Sequence, residues 1–165
     1  MNPPGWMGSS ALGSALVGGN PQVVEYLLVH GANPNAKSFN GNTPLFSAAA
    51  RGDLAMIESL LNHGAAIEAK DGGDRTSLMS AASTNHEEAI KLLLSRGAKV
   101  NDQAASGETA LMMAAEGGHP GAVKALLKGG ADPTIKNFRD GHTALDYART
   151  HNNSDLIQLL EAAHP

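Results

Sequence analysis

Thr43-Pro44-Leu45-Phe46-Ser47-Ala48-Ala49-Ala50-Arg51-Gly52-Asp53-Leu54-Ala55-Met56-Ile57-Glu58-Ser59-Leu60-Leu61-Asn62-His63-Gly64-Ala65 decides how the whole chain is read. It reads as two short helices back to back. Thr43-Pro44 is a start signal: a hydroxyl N-cap, then proline at a position that needs no N–H. Gly52-Asp53 stops the first helix and starts the second. Met56, Ile57, Leu60 and Leu61 form one apolar stripe. Gly64 ends the second helix.

The same text recurs along the chain. Ser10, Thr43, Thr76 and Thr109 are 33 residues apart, and Thr143 follows 34 later. Leu12, Leu45, Leu78, Leu111 and Leu145 keep that register. So do the leucine pairs at 27–28, 60–61, 93–94 and 126–127, and the Gly-Ala pairs at 31–32, 64–65, 97–98 and 130–131. A 33-residue unit with a T-P-L-x-x-A core resembles the ankyrin repeat. The resemblance covers roughly residues 9 to 162. It implies an all-α solenoid of stacked helix-turn-helix units joined by β-hairpin-like loops. The expected organisation is a tail at 1–8 and one array at 9–165. Its repeats fall at about 9–37, 38–70, 71–103, 104–136 and 137–162.

The 165 residues therefore form one elongated domain with a ribbon-like core, since each repeat touches only its neighbours. Aromatics are only 4% of the chain, so Leu, Ala, Ile, Val and Met must build that core. Net charge is −4, and no Lys/Arg cluster offers a phosphate-reading face, so nucleic acid is not expected as a partner. The absence of cysteine excludes disulfides, thiolate metal sites and thiol catalysis. No apolar run reaches the ~18 residues of a membrane span. Met1–Gly8 lacks the basic and apolar regions of a signal peptide, so the expected compartment is the cytoplasm. Trp6 and Met7 are read as folding over the open end of repeat one, with a partner anchor as the alternative.

Residues one period apart stack in columns. Asn20, Asp53, His86, His119 and Asn153 stand where each second helix begins and are read as N-caps. His30, His63, Arg96 and Gly129 stand at its C-terminus, which favours cations. His30 and His63 do not make a zinc site: packed helices sit ~8–10 Å apart, and no Cys, Asp or Glu completes the ligand set. Phe46, Met79, Met112 and Asp146 occupy the column where the family usually has a histidine. The apolar three are expected to pack between repeats. Asp74 fills the hairpin slot held elsewhere by Gly41, Gly107 and Gly141; Asp74 tolerates a left-handed backbone at some cost, or Gly72-Gly73 absorbs the turn. The extra residue before Thr143 is placed in the hairpin around 137–141.

No enzyme is expected. No Ser-His-Asp or Cys-His set assembles across the columns, and no phosphate-binding G-x-x-x-x-G-K-[ST] loop is present. No cofactor or metal is implied. The resemblance implies a non-enzymatic, monomeric module that binds another protein through a concave face of hairpin tips and exposed first-helix positions, as an inhibitor, immunity or chaperone-like protein. A small-molecule or lipid-headgroup sensor and a fragment of a larger scaffold are the alternatives. The candidate partner-binding residues are Phe39, Asn40, Asn42, Arg51, Arg75, Ser83, Glu108, Glu116, Phe138, Arg139 and His142. Aromatics and arginines dominate interface hot spots, which singles out Phe39, Arg51, Arg75, Phe138 and Arg139. The alternative for Phe39 and Phe138 is that they fold down onto neighbouring hairpins.

Overall fold

The structure, a computed structural model, describes residues 11–163. The readings of the tail, of Ser10, and of Trp6 and Met7 lie outside the described residues. Among the described residues ten α-helices follow one another: α1 (Ala11–Gly18), α2 (Pro21–Val29), α3 (Pro44–Arg51), α4 (Leu54–Asn62), α5 (Ser77–Ser83), α6 (Glu87–Ser95), α7 (Ala110–Glu116), α8 (Pro120–Lys128), α9 (Ala144–Thr150) and α10 (Ser154–Ala162). Among the described residues there is no β-strand. The odd-numbered helices stack in one row and the even-numbered helices in a second. The chain is an all-α solenoid.

Small side chains let the first row close up. Ala48, Ala49, Ala81, Ala82, Ala114 and Ala115 are buried there. The second row buries longer side chains, among them Ile57, Leu60, Ile90, Leu93, Val123 and Leu126. Helices α3, α5, α7 and α9 each start on a buried or half-buried threonine. The hydroxyls of Thr43, Thr76, Thr109 and Thr143 accept from the N–H three residues on, at 3.1 to 3.4 Å.

Asn20, Asp53 and Asn153 cap the second helices, accepting from Val23, Met56 and Leu156 at 3.2, 3.0 and 3.2 Å. His86 and His119 do not cap. Their rings reach back into the preceding repeat, placing Nε2 3.2 Å from the carbonyls of Ala50 and Ser83. An imidazole holds its outer nitrogen farther from the backbone than a short Asn or Asp holds its oxygen. It passes its own helix start and meets the preceding first helix at its C-terminal end, where carbonyls lack intrahelical partners. Gly52 makes room for this: a Cβ there would lie 2.3 Å from the His86 ring.

Two asparagines clasp neighbouring repeats. The Asn35 amide donates to the Gly64 carbonyl at 3.1 Å and its oxygen accepts from the Ala66 N–H at 2.8 Å. Asn101 repeats this on Gly130 and Asp132.

At the hairpin of repeat three it is Asp74, at φ 58°, that takes the left-handed conformation; Gly72 and Gly73 do not. Relieving that strain should outweigh the extra freedom glycine adds to the unfolded chain. Asp74→Gly is expected to raise stability by about 0.5–1 kcal/mol. A urea melt checks this, and an unchanged or lower midpoint would contradict it.

Repeat one is the loosest. α1 packs less closely against α3 than α3 does against α5. Gly13 stands where Phe46, Met79 and Met112 fill later interfaces, and a cavity of about 270 Å³ opens beside it. Hydrogen exchange should show α1 and α2 opening at lower free energy than repeats two to four. Even protection from residue 11 to residue 160 would contradict that expectation.

Candidate functional site: the row of hairpin tips

Four hairpins lie side by side along one edge of the described array. Each is closed across its base by a backbone bond: Ser38 N–H to Asn42 O, Asp71 N–H to Arg75 O, Ala104 N–H to Glu108 O, and Asn137 N–H to His142 O, all at 2.9 to 3.0 Å. The last spans one residue more than the others, so the extra residue lies in the hairpin, where the spacing placed it. Neighbouring tips are tied together as well. The Ala105 N–H donates to the Gly73 carbonyl at 3.0 Å, and the Phe138 N–H to the Ser106 carbonyl at 2.9 Å.

The longer fourth tip is held from inside. Asn137 is buried. Its Oδ1 accepts from the N–H groups of Asp140 and Gly141 at 3.2 and 3.0 Å, which organises the turn. Its Nδ2 donates to the Tyr147 hydroxyl at 2.9 Å. That hydroxyl donates to Glu108 Oε1 at 2.9 Å, and the Ser106 hydroxyl donates to Glu108 Oε2 at 2.7 Å. Burial, reinforced by the bond to Glu108, pushes the Tyr147 phenol up to about 12. His142 meets the Tyr147 ring edge-on at 5.9 Å, with Asp140 Oδ2 3.5 Å from its Nδ1. At the base, Asp146 accepts from the N–H and hydroxyl of Thr143 at 2.9 and 2.8 Å. The bond from the Thr143 N–H is the main cause holding the Asp146 carboxyl below the usual range.

The candidate residues fall into two groups. Phe39 is 90% exposed and Phe138 is 70% exposed. Asn40, Ser83, Glu116 and Arg139 are exposed too. Phe138 is both exposed and folded down: one side of its ring covers Gly107, where a Cβ would come within 2.6 Å of Phe138 Cγ.

The other five are engaged within the chain. Arg51 Nη1 donates to the carbonyls of Leu16 and Val17 at 2.9 and 3.1 Å, fastening the C-terminus of α1. Arg75 donates from Nε and Nη2 to Asp71 Oδ2 at 2.9 and 2.7 Å, and its guanidinium lies 5.4 Å from the Phe46 ring centre. Burial alone would raise the Asp71 carboxyl. The bonds from Arg75 and the Gly73 N–H outweigh it and hold the group below the usual range. Glu108 and His142 are half-buried in the Tyr147 network, and Asn42 lines the cavity beside Gly13.

Asn137 and Tyr147 are the residues that sequence reasoning passed over. The available signal was the extra residue itself. A longer turn needs a polar side chain to satisfy its added N–H groups, and Asn does this by bonding backbone two to four residues on.

The arrangement offers a recognition edge of exposed aromatic and polar tips on ordered backbone. Among the described residues no three His, Asp or Glu side chains converge to hold a metal ion, and no helix is long and apolar enough to cross a membrane. Two family models match. One for ankyrin repeats (3 copies) covers residues 12–104, more than half of the chain. One for ankyrin repeats (many copies) covers residues 93–148. No curated protein matches the chain. With that period, this helix-pair stack and these matches, the chain belongs to the ankyrin-repeat family, whose repeats are generally protein–protein interaction modules.

Proposed function

We propose that this protein is a non-enzymatic clasp. It binds another protein along its hairpin row and the exposed first-helix positions, with the tip at Phe138 and Arg139 as the main anchor. One observation carries this reading: an exposed aromatic sits on a backbone fixed at its own N–H and at the residue before it. Phe138 donates its N–H to Ser106, and the preceding residue, Asn137, is locked into the Tyr147–Glu108 network. Binding costs include the ordering of loops, so a tip ordered beforehand gives more net affinity per contact. Arg139 adds a planar donor set beside the ring. An inhibitor, immunity or chaperone-like role suits such a clasp.

The test is a photo-crosslinking residue placed at 138, with a control at Gln158 on the outer face of α10. A partner captured from the native source at 138 and absent at 158 supports the anchor. Equal capture at both positions would defeat it. A second reading, small-molecule binding, rests on the cavity lined by Gly13, Leu16, Val17, Pro44, Ala48 and Met56. A thermal shift with small apolar ligands separates the two.

A further inference from the structure

Three steps in the chain set an Asn or Asp directly before glycine: Asn40-Gly41, Asp71-Gly72 and Asp140-Gly141. All three lie in hairpins of the tip row. At such a step the glycine nitrogen can reach the side-chain carbonyl carbon of the residue before it, because glycine has no side chain to block the approach. The product is a five-membered cyclic imide. What holds the side chain and the nitrogen decides whether a given step reacts.

Two of the three are tied down. Asp71 Oδ1 accepts from the Gly73 and Arg75 N–H groups, both at 2.8 Å, and its Oδ2 accepts from Arg75 Nε at 2.9 Å. Asp140 Oδ1 accepts from the His142 N–H at 3.2 Å, and the Gly141 N–H is committed to Asn137 Oδ1 at 3.0 Å. Desolvation alone would raise both carboxyls. The bonds each accepts outweigh it and hold both below the usual range, so both stay ionised at neutral pH. A carboxylate anion repels an incoming nucleophile.

Asn40 is held differently. Its side chain is an exposed, neutral amide with no hydrogen-bond partner among the described residues. The restraint at this step is one turn bond, from the Gly41 N–H to the Ser38 carbonyl at 2.9 Å. Backbone bonds at an exposed hairpin tip open at low free energy. The fold also keeps glycine here. Gly41 takes φ 78°, and a Cβ on it would lie 2.9 Å from the Gly72 nitrogen. A side chain that would slow the attack is therefore shut out.

We propose that Asn40 is a self-modification site, where the folded protein converts its own side-chain amide into an acid. The Gly41 nitrogen gives its proton to base and attacks Asn40 Cγ. A new N–C bond forms, the Cγ–Nδ2 bond breaks, and Nδ2 leaves as ammonia after taking a proton from water. A water molecule then adds to one of the two imide carbonyls and cleaves its bond to the ring nitrogen. Opening at one carbonyl leaves aspartate at position 40. Opening at the other leaves isoaspartate, whose main chain runs through the former side chain and is one methylene longer. Either product adds one negative charge to the −4 of the sequence. The longer main chain no longer fits the turn closed by Ser38 and Gly41, or the close approach of Gly41 to Gly72. The reaction is intramolecular and needs only water and base, so it stands apart from the proposed partner, although its consequence falls on the same row of tips.

Ageing of the full chain in mildly alkaline buffer tests this. Ion exchange should show an acidic species growing over days. Digestion after Lys and Arg isolates residues 38–51, and fragmentation should place the amide-to-acid change and isoaspartate at position 40. Asn42 in the same peptide should stay unmodified, as should Asp71 and Asp140. Asn40→Gln, whose longer side chain closes a six-membered ring far more slowly, should abolish the acidic species. A urea-unfolded sample supplies the rate with the fold's restraints removed. A folded chain unmodified at position 40 while the unfolded chain reacts would overturn the proposal, because the bond to Ser38 would then be protection enough. So would isoaspartate forming at 71 or 140 as fast as at 40, or an acidic species that persists in Asn40→Gln.

Discussion

Met79→Ala is expected to cost ~2–5 kcal/mol of folding stability, the range for emptying a buried methionine or leucine site. Met79 is 1% exposed and stands in register with Phe46 and Met112, both also buried. It does more than fill space. Its sulfur accepts from the Thr76 N–H at 3.4 Å while the Thr76 hydroxyl accepts from the Met79 N–H at the same distance. The thioether therefore closes the helix start as Asp146 does with a carboxylate in repeat five. Alanine would remove the packing and leave a buried N–H without that acceptor. Met79→Leu separates the two contributions. Nearly conserving the volume, it should lose under ~1.5 kcal/mol if packing dominates. Urea melts of both variants decide it. A loss within ~0.5 kcal/mol for the alanine variant would place the side chain among idle surface positions instead.

The second large effect is expected in binding. Phe138→Ala combined with Arg139→Ala should leave the melting temperature nearly unchanged, because both side chains are exposed and the turn is held by Asn137 and the backbone. Partner affinity should fall by at least ~2 kcal/mol, about thirtyfold, as for a hot-spot pair. Calorimetry with the captured partner measures it. Wild-type affinity would show the tip to be idle. A lowered melting temperature would show that the ring's cover over Gly107 matters more to folding than to recognition. Tyr147→Phe provides a companion measurement. It removes the bond to Glu108 without touching the exposed residues, so any affinity it loses comes from a loosened tip.

Much of this architecture was legible because a repeat states its rules several times over. The helix Ser154–Ala162 falls where the capping and stripe signals place it. The lengthened hairpin is where the 34-residue interval puts it. The buried ladder follows from Phe and Met recurring at one register. What could not be read were contacts that leave the register. His86 shares a column with Asn20 and Asp53 but bonds a carbonyl 36 residues back, because reach and a neighbouring glycine decide its partner. Arg51 and Glu108 sit at solvent-facing positions, yet each has partners 34 to 39 residues away. Periodicity assigns a side chain to a face. It does not say whether the adjacent repeat presents an acceptor on that face.

The fourth tip has a consequence for how such a molecule changes over generations. Its extra residue is taken up entirely between Asn137 and His142, and Thr143 then caps its helix on the same pattern as Thr109. The insertion is insulated: helix register on either side is untouched, and only one internal asparagine was needed to absorb it. Tips of this kind can lengthen, shorten or trade residues one at a time while the rest of the protein inherits its fold intact. Novelty in what is recognised can accumulate there without passing through an unfolded ancestor.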